Sequence, residues 1–191
     1  MSMLLLGLVL FIGVHSVAIV NAAWRERMIA RLGEWPWKGL YSLIAIAGFV
    51  LMVWGYGLAR QQPVPLYSPP DWLRGVALVL LLPVFPLLLA TYLPGRIQTA
   101  ARHPMLAAVK LWALAHLLVN GMLADVLLFG ALLAWAVADR VSLQRRTPPS
   151  VPRLPAWKAN DAIALLGGLA LYGTFTGGLH AWLIGVPALP G

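Results

Sequence analysis

The 191-residue chain is 61% hydrophobic and 10% charged, far from the roughly half-apolar and quarter-charged average of soluble domains, and this predicts an integral membrane protein. It contains no cysteine, which excludes disulfides, thiolate metal sites and cysteine nucleophiles. The formal net charge of +8 would suggest nucleic-acid binding in a soluble chain, but here the basic residues follow membrane topology, so we expect no nucleic-acid partner.

The first predicted span is the apolar run from Met3 to Asn21, which is long enough at about 1.5 Å per residue to cross a hydrocarbon core of about 30 Å. A cleaved signal peptide is the competing interpretation. No positive charge precedes the run, however, whereas Arg25, Arg27 and Arg31 follow it. We therefore expect a retained helix with its N-terminus outside the cytoplasm.

The next segment, WRERMIARLGEWPWKG at residues 24–39, is basic and rich in tryptophan. Such a composition is typical of a loop at the lipid headgroups, with tryptophans as interfacial anchors. The second predicted span covers Leu40 to Leu58. Residues 60–70 are rich in proline and predict an extended loop on the opposite side of the membrane.

The third predicted span, Leu73 to Leu93, contains Pro83 and Pro86. Prolines at these positions break or kink a helix, which is tolerated when neighbouring groups satisfy the freed carbonyls. We favour a kink that shapes the bundle over a gap that admits a substrate.

The fourth span is predicted from Pro104 to about Asn120, and Gly121 then turns the chain into the fifth. Pro104 suits the first turn of a helix because its missing N–H would be unpaired there anyway. The fifth span covers Met122 to Val137. Asn120 and Asp125 flank the turn, where we expect them to be solvated caps.

A basic, proline-rich linker at residues 140–158 precedes the sixth predicted span, Asp161 to Val186. The span carries small residues that let helices approach closely, at Gly167, Gly168, Gly173, Gly177 and Gly178.

The distribution of basic residues tests this count of six helices. Loops one, three and five contain eleven lysines and arginines, whereas the opposite side has only Arg60 and Arg74. The excess predicts that the odd loops are cytoplasmic and that both termini lie on the non-cytoplasmic side. The expected fold is an all-α bundle of six transmembrane helices that forms one domain over residues 1–191.

The four histidines are the candidate functional residues, because ionisable side chains in hydrocarbon are rarely there without a use. The rise per residue places His103 at roughly 0 Å from the cytoplasmic boundary, His15 at about 9 Å, His116 at about 18 Å and His180 at about 28 Å. Neighbouring histidines in this series are close enough to pair.

Imidazoles in a helical bundle, with no cysteine and few carboxylates, favour haem iron, since two of them can fill both axial positions. Zinc would normally require three or four ligands. For His15 and His116 a structural hydrogen bond between helices is the alternative. His103 stands at a helix start in Arg-His-Pro, and His180 is more readily explained as a hydrogen-bonding residue. Arg102 and other arginines at cytoplasmic helix ends are candidates to pair haem propionates, although topology alone also accounts for them.

Three motifs resemble the NnrU family, which is similar to 15-cis-zeta-carotene isomerase: His15-Ser16, ARHPMLAAVKLWALAH at 101–116 and LHAWLIGVPALP near the C-terminus. The resemblance implies haem b held by the histidine of the His-Ser motif and by the one thirteen residues after that of Arg-His-Pro, here His15 and His116. The depth estimates permit this pair without requiring it, because His116 and His180 are about as close.

The resemblance implies a haem-dependent redox or cis-trans isomerase activity on a lipid-phase, carotenoid-like or isoprenoid-like substrate, in the cytoplasmic membrane of a bacterium. Its expected partners are haem, membrane lipids, a hydrophobic small molecule and an unidentified electron donor. The alternative is a non-catalytic membrane factor that supports denitrification. An isoprenylcysteine-type methyltransferase ranks third, because the uncharged C-terminal tail lacks the acidic residues that bind S-adenosylmethionine in such enzymes.

Overall fold

The computed structural model describes residues 1–146 and 151–189. Within these residues the regular structure is helical and contains no strand, apart from an isolated antiparallel bridge between Pro65 and Met122. The prediction of an all-α protein is therefore confirmed. The middle of the predicted basic linker, residues 147–150, and the last two residues of the C-terminal tail lie outside the described residues.

The described helices are, in chain order, α1 (Ser2–Leu32), α2 (Glu34–Ala59), α3 (Leu73–Leu81), α4 (Val84–Ala90), α5 (Arg96–Ala101), α6 (Pro104–Val119), α7 (Leu123–Ser142), α8 (Asn160–Thr174), a π-helical turn (Phe175–Leu179) and α9 (His180–Ile184). The predicted starts at Pro104 and just after the turn at Gly121 agree with α6 and α7 to within one residue.

Four stretches are long and apolar enough to cross a membrane, judged by length and composition: Ser2–Leu32, Glu34–Ala59, Leu73–Ala90 and Asn160–Ile184. They contain the first and second predicted spans and cover most of the third and sixth, which were predicted to run on to Leu93 and Val186. The fourth corresponds to α6, which is apolar but has only 16 residues. The fifth corresponds to α7, whose 20 residues include Asp125, Asp139 and Arg140. The count of six spans thus stays a prediction.

The predicted headgroup loop at residues 24–39 is helical instead. Helix α1 kinks at Asn21, whose backbone is non-helical (φ −152°, ψ 82°). The side-chain oxygen of Asn21 accepts the backbone N–H of Trp24 at 2.9 Å, so it caps the second half of the helix. The segment contains three arginines and two glutamates, which favour helix. Only Gly33, at φ 90°, separates α1 from α2.

The chain divides into two compact units. The first comprises Met1–Asp71 and His116–Pro148, and the second comprises Trp72–Ala115 and Pro149–Gly191. His15 and His116 belong to the first unit, whereas Arg102, His103 and His180 belong to the second.

In the first unit α1 packs closely along α2, and α7 packs against both. The close approach depends on Gly7, Gly48 and Gly55, where an added Cβ would overlap the backbone of the facing helix. At Gly48, for example, it would lie 2.6 Å from the backbone nitrogen of Phe11. Glycines allow such approach because they have no side chain.

The predicted loop at residues 60–70 is attached to the turn between α6 and α7. The carbonyl of Gly121 accepts the N–H groups of Leu66 at 2.8 Å and Tyr67 at 3.2 Å, and the carbonyl of Val64 accepts the N–H of Leu123 at 2.8 Å. The loop and the turn therefore lie at the same end of this unit.

In the second unit Pro83 breaks the helix as predicted, whereas Pro86 lies in the first turn of α4. Helix α3 ends before Pro83 and α4 begins after it. The hydroxyl of Tyr172 donates to the carbonyl of Leu78 at 3.0 Å, so a side chain of α8 supplements the backbone bonds near the break. Helix α8 packs on α4, where a Cβ at Gly168 would overlap Pro86. The predicted close approach is thus present at Gly168, whereas Gly173, Gly177 and Gly178 face open space.

We expect Gly48→Ala to destabilise the first unit, because the new methyl would force α1 away from α2. Overpacking of this kind costs about 1–3 kcal/mol. Gly57→Ala is the matched control, since it adds the same methyl to the same helix where nothing lies within 4 Å. Thermal unfolding of both variants in detergent tests the expectation, and equal midpoints would contradict it.

Candidate functional site

The His15 imidazole is held by a hydrogen bond within α1. Its Nδ1 lies 2.7 Å from the carbonyl oxygen of Phe11, one turn earlier. Because a carbonyl can only accept, Nδ1 carries the proton, and in the neutral imidazole Nε2 then keeps its lone pair. Histidines that bind metals commonly show this arrangement, in which one ring nitrogen donates to a backbone carbonyl and the other is the ligand.

Aromatic rings from three helices surround His15. Its ring centroid lies 4.2 Å from that of Phe11 in α1, 5.3 Å from that of Tyr41 in α2 and 5.7 Å from that of Trp135 in α7. Tyr41 and Trp135 meet the imidazole edge to face. The ring is therefore fixed in orientation by the packing of the whole first unit.

The indole N–H of Trp135 is buried, and no described residue accepts it. Leaving a buried donor unpaired costs about 1–3 kcal/mol, so such a group calls for an explanation. An acceptor from outside the chain, carried by a ligand or by water, would satisfy it. This orphan donor lies in the residue that contacts His15.

His116 lies in the last turn of α6, and its ring stacks on Phe129 of α7 with centroids 4.6 Å apart and planes inclined by 28°. The carbonyl of His116 accepts both the backbone N–H of Asn120 at 2.9 Å and its side-chain amide at 3.0 Å. Asn120 therefore caps the end of α6 at the residue that carries the imidazole.

The structure brings both histidines to one helix. Their contacts on α7, Phe129 and Trp135, are six residues apart, which corresponds to about 9 Å of rise and a difference in direction of about 120° around the axis. The depths expected from the sequence for His15 and His116 also differ by about 9 Å. Leu132, which is buried, lies midway between the two contacts.

The donor set fits haem better than a bare metal ion. Within the described residues no three His, Cys, Asp or Glu side chains come together as a metal site. An iron porphyrin requires only two axial imidazoles, and the Nδ1 bond of His15 leaves Nε2 in the required form. An orphan N–H beside it offers a donor to a polar group of the same ligand.

Arg102, His103 and His180 have surroundings of their own in the second unit. Arg102 is exposed and has a positive φ of 58°, which is unusual for a residue other than glycine. It turns the chain between α5 and α6, and the N–H of His103 donates to the carbonyl of Ala101 at 2.6 Å. His180 Nδ1 donates to the carbonyl of Val186 at 2.6 Å, as its predicted hydrogen-bonding role requires. Their role in binding haem stays a prediction.

Tyr56 and Asp125 form a buried polar pair that the sequence did not indicate. The Tyr56 hydroxyl donates to the Asp125 carboxylate at 2.6 Å, and the backbone N–H of Met122 donates to its other oxygen at 3.0 Å. Asp125 was predicted to be a solvated cap. It does cap α7, but it is only 5% exposed, and the Tyr56 hydroxyl is one of its hydrogen-bond donors.

This pair adjoins the His116 site. The Tyr56 ring lies edge to face against Phe129, with centroids 6.3 Å apart, and Phe129 in turn stacks on His116. The hydrogen bond to Asp125 thus fixes the ring that supports Phe129. Tyr56 and Asp125 are 69 positions apart, so no local pattern could have revealed the pair.

Tyr67 fastens the neighbouring loop. Burial raises the pKa of its phenol, and the negative charge of Asp125 adds to the shift. The hydroxyl therefore stays protonated at neutral pH and donates to the carbonyls of Leu117 and Asn120 at the end of α6. The loop at residues 60–70 is thus tied to the segment that contains His116.

We expect Asp125→Ala to lower the stability of the protein by about 1–3 kcal/mol, because it removes a helix cap and leaves the half-buried Tyr56 hydroxyl without this acceptor. Tyr56→Phe should cost less, since the cap to Met122 survives. Chemical or thermal unfolding in detergent gives both values. A larger loss for Tyr56→Phe than for Asp125→Ala would show that the carboxylate does not act as described.

A family model described as NnrU protein matches residues 3–188, nearly the whole chain. No curated protein and no solved structure matches.

Proposed function

The chain belongs to the NnrU family, and from that premise we propose that it is a membrane-embedded haem b protein with His15 and His116 as axial ligands. Its proposed activity is a redox reaction or a haem-dependent cis-trans isomerisation of a lipid-phase substrate. The family's resemblance to 15-cis-zeta-carotene isomerase suggests a carotenoid-like or isoprenoid-like molecule.

The hydrogen bond from His15 Nδ1 to the Phe11 carbonyl carries this proposal. It fixes the tautomer in which Nε2 is an electron-pair donor, which a purely structural histidine between helices would not need. The position of His116 against the same helix, α7, supports it as the second ligand. The unpaired indole N–H of Trp135 supports the presence of a ligand that has a polar group.

A bound haem would supply one-electron chemistry at its iron. The protein's own residues orient and shield it. Phe11, Tyr41 and Trp135 hold the His15 ring and exclude water from it. Phe129, held by Tyr56, supports the His116 ring.

We also propose that α6 and α7 cross the membrane, which gives six spans in the cytoplasmic membrane of a bacterium with both termini outside the cytoplasm. The hydrogen bonds between the loop at 60–70 and the turn at Gly121 support this topology, because they require loops two and four to share a side. The eleven basic residues of the odd loops support the orientation.

A non-catalytic role in denitrification, through haem or electron handling, is the second candidate. It is favoured by the pair of histidines proposed as ligands, His15 and His116. His15 and His116 would both hold the haem, and a reaction that needs a free position at the iron would require the release of one of them. Electron transfer has no such requirement.

Absorption spectra of the detergent-purified protein, oxidised and reduced, test the haem proposal. The wild type should show a six-coordinate low-spin haem, and His15→Ala and His116→Ala should each lose it because one axial ligand is gone. His180→Ala is the matched control, since it removes an imidazole that is bound to the Val186 carbonyl.

A colourless wild type despite ample haem during expression would contradict the proposal. If His180→Ala lost the haem spectrum and His15→Ala kept it, His15 and His116 would not be the ligand pair. With the haem in place, turnover of a polyene substrate in lipid would separate the isomerase from the electron-handling role.

A further inference from the structure

An apolar groove of about 280 Å³ opens between α1 and α2. Its walls include Val9, Gly13 and Val17 from α1, and Leu40 and Ile44 from α2. No charged residue lines it. Both helices are long and apolar enough to cross a membrane, so such a groove would face lipid tails rather than water.

The groove has the length of one lipid leaflet. The aliphatic part of its α1 wall runs from Val9 to Val17, eight residues or about 12 Å of helix rise, and Trp24 lines the groove beyond it. Half of a hydrocarbon core is about 15 Å thick. A single acyl chain that enters from one leaflet would therefore lie along the groove for most of its depth.

One end of the groove is formed by Trp24 and Trp37, whose rings meet edge to face with centroids 5.8 Å apart. Trp37 is 8% exposed and Trp24 is 41% exposed, so the pair presents one face to the surroundings. Tryptophans concentrate where the hydrocarbon meets the headgroups. This end of the groove is therefore the headgroup end.

The charges beside the tryptophan pair are mostly positive. Arg25, Arg27 and Arg31 follow Trp24, with Glu26 among them. Lys38 and Glu34 neutralise each other through an ion pair at 2.7 Å. In the part of the chain that the structure describes, no ion pair involves the three arginines. A negatively charged headgroup is the chemical complement of this end.

We propose that this groove is a binding site for an anionic phospholipid, with one acyl chain between α1 and α2 and the headgroup at Arg25, Arg27 and Arg31. The site does not depend on haem. The other occupants to be tested are a neutral lipid and a second copy of the chain. Native mass spectrometry distinguishes them from the anionic lipid.

Gly13 offers a direct way to fill the groove. A Cβ at this position would meet nothing within 4 Å, and the residue lines the groove. Leucine also favours helix over glycine. Gly13→Leu should therefore occupy the acyl-chain space while the protein remains folded. Gly57→Leu is the matched control, because Gly57 also faces open space but does not line the groove.

Native mass spectrometry of the full chain in detergent, with added phosphatidylglycerol or phosphatidylcholine, tests the proposal. The wild type and Gly57→Leu should each retain one phosphatidylglycerol, in preference to phosphatidylcholine, and Gly13→Leu should bind it about tenfold more weakly. Changing Arg25, Arg27 and Arg31 together to glutamine should abolish the preference for the anionic lipid, because each basic residue near a charged headgroup contributes to its binding.

If Gly13→Leu and Gly57→Leu retained phosphatidylglycerol equally, the groove would not be the lipid-binding site. Equal retention of the two lipids by the wild type would overturn the role of the arginines. If the wild type bound no lipid but formed a dimer, and Gly13→Leu did not, the occupant of the groove would be a second copy of the chain. The arginine variant keeps the test independent of how well Gly13→Leu folds, and the haem spectrum is read separately.

Discussion

The contact between α1 and α2 is the constraint on which the first unit depends. Tyr41, Gly48 and Gly55 recur every seven residues and lie on one face of α2, where the two glycines let the backbones approach. On α1, Phe11 and His15 follow each other by one turn. The helices touch at Gly48 and Phe11, His15 follows Phe11 by one turn, and Tyr41 precedes Gly48 by two turns and contacts the His15 ring. The imidazole is thus placed by two positions that have no side chain.

Helix α7 completes the site and also shows how carboxylates are accommodated in an apolar helix. Its acidic residues lie near its ends, and each has a partner. Asp125 accepts from Tyr56 and from the backbone of Met122, and Asp139 is paired with Arg146. Between them the helix presents Phe129 and Trp135 to the two histidines. Partners of this kind lower the free-energy cost of a carboxylate in apolar surroundings.

The sequence predicted what depends on local chemistry. The length of the apolar runs predicted the helices. Pro83 predicted the break between α3 and α4, and Pro104 predicted the start of α6. The histidines in apolar runs predicted the candidate site. What it missed depends on partners distant in the chain. The role of Gly48 depends on the backbone of Phe11, and the buried Asp125 has its hydrogen-bond partner in the distant Tyr56. The helix at residues 22–32 was missed because its interfacial composition was interpreted as a loop.

Tyr41 belongs to both apolar regions of the first unit, since it lines the groove between α1 and α2 and its ring contacts His15. The remaining rings around His15, Phe11 and Trp135, lie on α1 and α7. A molecule dissolved in the bilayer and lying in the groove would therefore meet Tyr41, one ring away from His15. The unpaired N–H of Trp135 lies beyond that ring, in the residue against the imidazole itself. Hydrocarbon cannot satisfy such a donor, so the two proposals assign different chemistry to the two sites: an acyl chain to the groove and a ligand with a polar acceptor to the histidine site.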